Sequence, residues 1–90
     1  MSRNIPNHIK RMSHDKSFKV TIRIGKSGIT DNTIAELEGQ LAKRKIVKVK
    51  MNKGLVESRE DRVEVFTHLA QSTGSTLVDV RGNVAVFWRP

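Results

Sequence analysis

Residues 18–51, FKVTIRIGKSGITDNTIAELEGQLAKRKIVKVKM, decide the fold. From Phe18 to Ile24 the chain alternates. Val20, Ile22 and Ile24 face one way, and Lys19, Thr21 and Arg23 the other, which is the period of a half-buried strand. The period then changes. Ile34, Leu37 and Leu41 recur at helical spacing, so a helix is predicted over about 31–45, capped by Thr30 or Asp31. Lys43, Arg44 and Lys45 crowd its last turn, where cations favour the negative end of the helix dipole. Gly39 in its middle costs about 1 kcal/mol against alanine unless a close neighbour needs the space. Alternation returns over 46–51, with Val47, Val49 and Met51 opposite Lys48 and Lys50. A strand, a helix and a strand in this order form a right-handed crossover with parallel strands.

The flanking sequence completes the pattern. Residues 52–54, NKG, read as a turn, and Ser58 opens a helix over 59–73 that buries Val63, Phe66, Leu69 and Ala70. Gly74 suits the left-handed position that ends it. TLVDV (76–80) and VAVFW (84–88) are strands joined by the hairpin loop RGN. Phe87 and Trp88 point to opposite faces of the last strand: one belongs to the core, and the other is expected under the N-terminal helix, the alternative being a ring that stacks on a base. That helix, IPNHIKRMSH (5–14), carries the stripe Ile5, Ile9 and Met12 and is too short to stand without docking. The expected class is α/β, in the α+β two-layer sense. An N-terminal helix precedes β-α-β-α-β-β, and two long helices cover one face of a mixed four-stranded sheet. The other face is then at least partly open and presents Lys19, Thr21, Arg23, Lys48 and Lys50. Folding does not call for such a surface, because like charges on neighbouring strands are mildly destabilising.

Ninety residues make one small domain, taken here as 1–90. There is no cysteine, which excludes disulfides and thiolate metal sites. No apolar run reaches membrane-spanning length and the N-terminus has no apolar signal segment, so a cytoplasmic protein, expected to be a monomer, is the default. His8, His14 and His68 lack metal-ligand spacing, and no nucleophile sits beside a base; no enzyme, metal or cofactor is expected. The net charge is +8, unevenly placed. Residues 1–30 hold seven Lys/Arg and one acid, residues 31–60 seven and five, and residues 61–90 three and three. A positive field concentrated at one end points to a polyanion.

The segment Gly25-Lys26-Ser27-Gly28 joins strand to helix. Glycines permit close approach to the backbone, Lys26 and Ser27 sit at the tip, and the loop ends at a helix N-terminus that favours an anion. The KH module clamps nucleic acid with a GXXG loop of this kind. The bland alternative is a turn in which glycines are merely tolerated. The spacing fits neither a Walker A loop nor a dinucleotide fingerprint.

Taken together, Ile24-Gly25-Lys26-x-Gly28-Ile29-Thr30, the strand Ile46-Val47-Lys48-Val49-Lys50, Thr73-Gly74 and the ending Arg89-Pro90 resemble the CRM domain (chloroplast RNA splicing and ribosome maturation), also called YhbY-like. The resemblance covers nearly the whole chain; Ser27 stands where glycine is frequent. It implies a fold like the C-terminal domain of translation initiation factor three. It also implies RNA binding through the loop Gly25, Lys26, Ser27 and Gly28, with the N-terminal basic helix matching through Lys10 and Arg11. Bacterial members associate with precursors of the large ribosomal subunit, and plant members act in group II intron splicing. The expectation is an RNA-binding protein, with Arg23, Lys19, Lys48 and Lys50 as further phosphate contacts and ribosomal or other structured RNA, or a pre-ribosomal particle, as partner. The alternative is a protein-interaction module of a ribonucleoprotein particle.

Overall fold

The computed structural model describes residues 5–56 and 58–90. The elements run α1 (Asn7–Ser13), β1 (Ile22–Ile24), α2 (Asp31–Arg44), β2 (Ile46–Met51), α3 (Arg59–Thr73), β3 (Thr76–Arg81) and β4 (Val84–Trp88). The sheet order is β1-β2-β4-β3, with β1 and β2 parallel and the other two pairs antiparallel. This is the expected mixed four-stranded α+β architecture. The second crossover, β2-α3-β3, does not make neighbours, because β4 folds back between β2 and β3. A bulge between Leu77 and Asp79 shifts the β3–β4 register.

The sheet has two apolar faces of unequal size. On one, Ile22, Ile24, Val47, Val49, Met51, Ala85 and Phe87 meet Leu37 and Leu41 of α2 and Phe66, Leu69 and Ala70 of α3. Phe66 and Phe87 are fully buried and meet edge to face at 6.1 Å between centroids; burying each contributes roughly 1.5–3 kcal/mol. On the other face, Ile9 of α1 packs on Ile46 and Val86, with half-buried Ile5, Phe18, Val78 and Trp88 around them. So α2 and α3 share one face, as the periodicity predicts, and α1 docks on the opposite one. Phe87 is the core residue and Trp88 the one beside α1.

Details differ from the sequence reading: Val63 of α3 is half-buried and belongs to neither apolar cluster, whereas Val65 packs against the first. The inward stripe runs from half-buried Ile5, just before α1, through buried Ile9 to Ser13, a strict four-residue spacing, and leaves Met12 43% exposed. Ser13 tolerates burial because its hydroxyl donates to the Lys10 carbonyl at 2.6 Å. The first strand is shorter than the alternation over 18–24 suggests. The Thr21 N–H still donates to the Lys48 carbonyl, but its hydroxyl donates to Gln40 Oε1 of α2, so Thr21 leaves the open face. Phe18 is carried back over the sheet by a turn in which Asp15 accepts from the Ser17 N–H and hydroxyl, both at 2.8 Å. Those two bonds, the amide first, hold the Asp15 carboxyl below its usual range.

The helices end as their sequences dictate. Thr30 and Thr33 cap the start of α2 reciprocally, and Ser58 caps α3 through the Asp61 N–H. Gly74 ends α3 at φ 64°; Lys45 ends α2 at φ 69°, a left-handed position more often held by glycine. Gly39 is exposed, and a Cβ there would meet nothing within 4 Å. No neighbour within the described chain needs its smallness. Gly39→Ala is therefore expected to raise unfolding stability by about 1 kcal/mol, read as a higher urea midpoint at unchanged slope.

Candidate nucleic-acid interface

Three loops meet at one end of the sheet. β1 and β2 are parallel, so the loops that follow them, 25–28 and 52–54, emerge side by side, and the β3–β4 turn at 81–83 reaches the same end. Backbone hydrogen bonds stitch them together. The Asn52 N–H donates to the Ile24 carbonyl at 2.9 Å, and the Met51 N–H to the Asn83 carbonyl at 2.7 Å. The N-termini of α2 and α3 lie at this end as well, since both helices follow strands that finish there.

The GKSG loop is a tight turn closed by the Gly28 N–H on the Gly25 carbonyl at 2.9 Å. Gly28 sits at φ 70°, where any other residue is strained. Gly25 differs: its φ is not positive, and a Cβ there would meet nothing within 4 Å. Among the described residues nothing requires glycine at 25. Lys26 and Ser27 project from the tip, both exposed, and their N–H groups meet no protein acceptor among the described residues. A lysine ammonium, a hydroxyl and two N–H donors without an acceptor among the described residues thus flank an exposed stretch of backbone. Such a surface suits an oxyanion.

Behind the loop lies a row of cations. Arg23 on β1 is in register with Lys50 on β2, Lys50 with Val84 on β4, and Val84 with Arg81 on β3. Strand spacing of about 4.8 Å places Arg23 and Arg81 roughly 14 Å apart at opposite edges. Arg23 and Arg81 are exposed and Lys50 is half-buried. Asp79 partly offsets Arg81, with its Oδ2 at 3.2 Å from Nε and 3.8 Å from His14 Nδ1. Lys53 adds an exposed cation on the middle loop. Sequence reasoning singled out neither Arg81 nor Lys53. Arg81 becomes part of the row only when β4 is placed between β2 and β3, which no local pattern reveals.

The remaining predicted residues do not gather at the loop. The Lys48 ammonium donates to the Phe18 carbonyl at 3.1 Å and lies over the Phe18 ring at 5.3 Å, so it pins the segment after α1 to the sheet. Lys19 is exposed but precedes β1, at the end of that strand away from the loop and close to Arg44. Lys10 and Arg11 are exposed on α1, above the same face as the cationic row but nearer its far end. Phe66 and Phe87 are fully buried, and Phe18 and Trp88 pack beside α1, so among the described residues no Phe or Trp ring stands at the loop end. Among the described residues no group of His, Asp or Glu is arranged to hold a metal ion, and no helix is long and apolar enough to cross a membrane.

Comparison with known proteins places the chain among relatives. A family model described as the CRS1/YhbY (CRM) domain matches residues 6–89. "Probable RNA-binding protein MJ0652" of Methanocaldococcus jannaschii is 31% identical over 98% of this chain, which spans 66% of that protein, just short of two thirds. "Probable RNA-binding protein YqeI" of Bacillus subtilis is 30% identical over 89% of this chain and 82% of its own. The solution structure of Staphylococcus aureus SAV1595, described as "a putative RNA binding protein", superposes with a TM-score of 0.74 at 29% identity, covering 97% of this chain and 90% of that one.

Proposed function

The chain belongs to the CRS1/YhbY (CRM) domain family, and from that membership we propose that it binds RNA by holding the sugar-phosphate backbone at the GKSG loop. The observation that carries this reading is Gly25. It is a glycine that no described neighbour requires, beside Lys26 and N–H groups without an acceptor among the described residues, at the head of a cationic row. Backbone approach from outside supplies the missing reason. Arg23, Lys50 and Arg81 then neutralise phosphates further along the same strand, and Lys53, Lys10 and Arg11 widen the positive field.

The RNA we favour is structured, and large-subunit ribosomal RNA or its precursor particle leads, given the family's marks in the sequence. An interface without an exposed Phe or Trp ring supports backbone and shape recognition over stacking on single strands. Nothing in the site resembles catalytic machinery, and the reading is of a binding protein that acts as a monomer.

Gly25→Ala tests the proposal with little risk to the fold. The alanine has room, so the unfolding midpoint is expected to stay or rise slightly. Affinity for a ribosomal RNA fragment, by fluorescence anisotropy, is expected to fall about three- to tenfold because the methyl group stands where the backbone would approach. Unchanged affinity would remove the loop from the interface.

A further inference from the structure

An open groove of about 970 Å³ lies next to the GKSG loop, on the helix side of the sheet. Gly28 and Ile29 form one wall, buried Ile24 and Met51 lie at its base, and a stripe of α3 forms the other wall. That stripe carries Asp61 and Glu64, both exposed, at the same helical face as Val65. In a chain of net charge +8, the groove's rim is acidic where the loop beside it is basic.

We propose that this groove receives an unpaired guanine extruded from the RNA that the loop holds; the inference rests on the RNA-binding reading above. Three features select the occupant. The groove shares Gly28 with the loop, so a nucleotide held by the loop has the groove as its immediate neighbour. The carboxylates repel phosphate, which keeps the backbone on the loop and leaves the groove to an uncharged group with an apolar face. Guanine alone among the four bases presents adjacent N1–H and N2–H donors on its Watson–Crick edge, and these match the two oxygens of one carboxylate. Uracil would turn carbonyl oxygens toward the same carboxylates. The planar base rests on aliphatic side chains, with the exposed His68 ring of α3 also lining the groove.

The test uses the full chain and four labelled RNA hairpins, identical except for one bulged nucleotide. The parent is expected to bind the bulged-G hairpin at least about fivefold tighter than the bulged-U hairpin. Asp61→Asn with Glu64→Gln is expected to bring that ratio below about two while leaving bulged-U affinity and the salt slope close to the parent's. Thermal melting confirms that the variant folds. A parent without base preference overturns the proposal. So does a preference that survives in the variant, or a variant that tightens all four hairpins equally, which would make the carboxylates mere charge. Lys26→Asp, run alongside, isolates the premise: loss of affinity for all four hairpins keeps the loop clamp whatever the base result, and no loss removes the clamp itself.

Discussion

A protein carrying both Lys26→Asp and Ser27→Asp is expected to lose roughly 30-fold or more in affinity for a large-subunit ribosomal RNA fragment at about 0.1 M salt. The substitution removes one cation and adds two anions at the tip of the turn, beside N–H groups that no described residue accepts from. A 30-fold loss is about 2 kcal/mol, the order expected for replacing a charge-assisted phosphate contact by repulsion. The slope of log affinity against log salt is expected to become shallower by about one unit, since one fewer counterion is released when the lysine no longer meets a phosphate. Both positions are exposed and neither side chain packs, so the circular dichroism spectrum and melting midpoint are expected to match the parent's. A duplex DNA competitor measures the charge-only background. If the folded double variant binds as the parent does, the loop is only a turn, and the cationic row or a protein partner takes its place.

The elements that locate this loop were legible because each rests on a local period. Alternation at 46–51 places β2 to the residue, and helical spacing with a Ser or Thr cap places α2 and α3 to within one residue. The face carrying α2 and α3 follows from Val47, Val49 and Met51. Docking of α1 did not follow from its own seven residues, since a stripe of two or three apolar side chains fits either face. The signal for it lay elsewhere. VAVFW is apolar at five successive positions, and a strand without polar alternation is covered on both sides. With Ile46 on the same face as Val86 and Trp88, that run already marks a second apolar patch in need of a cover.

The candidate site divides along the same line. Gly25 to Gly28 form one contiguous turn, and a contiguous motif can be read directly. Arg23 and Lys50 adjoin because β1 and β2 are parallel and in register, which the crossover rule anticipates. Lys48 looks identical to Lys50 in sequence, two residues away on one face of one strand. Its ammonium is engaged by Phe18, thirty residues earlier, and no periodicity reports such a contact. Arg81 is the converse case: it joins the row through a non-local strand order.

Arg89→Ala is expected to destabilise the fold by about 2 kcal/mol while leaving RNA affinity unchanged. Arg89 follows β4 at the end of the sheet opposite the GKSG loop, where Trp88 is in register with Ile46 and Thr76. Its guanidinium donates to the Thr73 carbonyl at 2.8 Å and to the Glu38 carbonyl at 3.3 Å. Thr73 is the last residue of α3, so its carbonyl has no helical donor and carries part of the negative end of the dipole. One planar side chain thereby ties the C-terminus of α3 to α2 and satisfies an orphan acceptor. The Arg89 N–H, which donates to the Lys45 carbonyl at 2.9 Å, survives truncation, so the strand end itself stays attached. Charged hydrogen bonds contribute roughly 1.5–3 kcal/mol each, and partial exposure together with the longer second bond holds the sum near the lower end. In a chain of this size such a loss lowers the melting midpoint by roughly 10 °C. Arg89→Lys keeps the charge but not the two-pronged reach, and is expected to recover about half of the loss. A truncation that shifts stability by less than about 0.5 kcal/mol would mean that water serves the Thr73 carbonyl equally well. Full recovery by lysine would mean that only the charge at the helix end matters, and that the bridge to α2 contributes nothing.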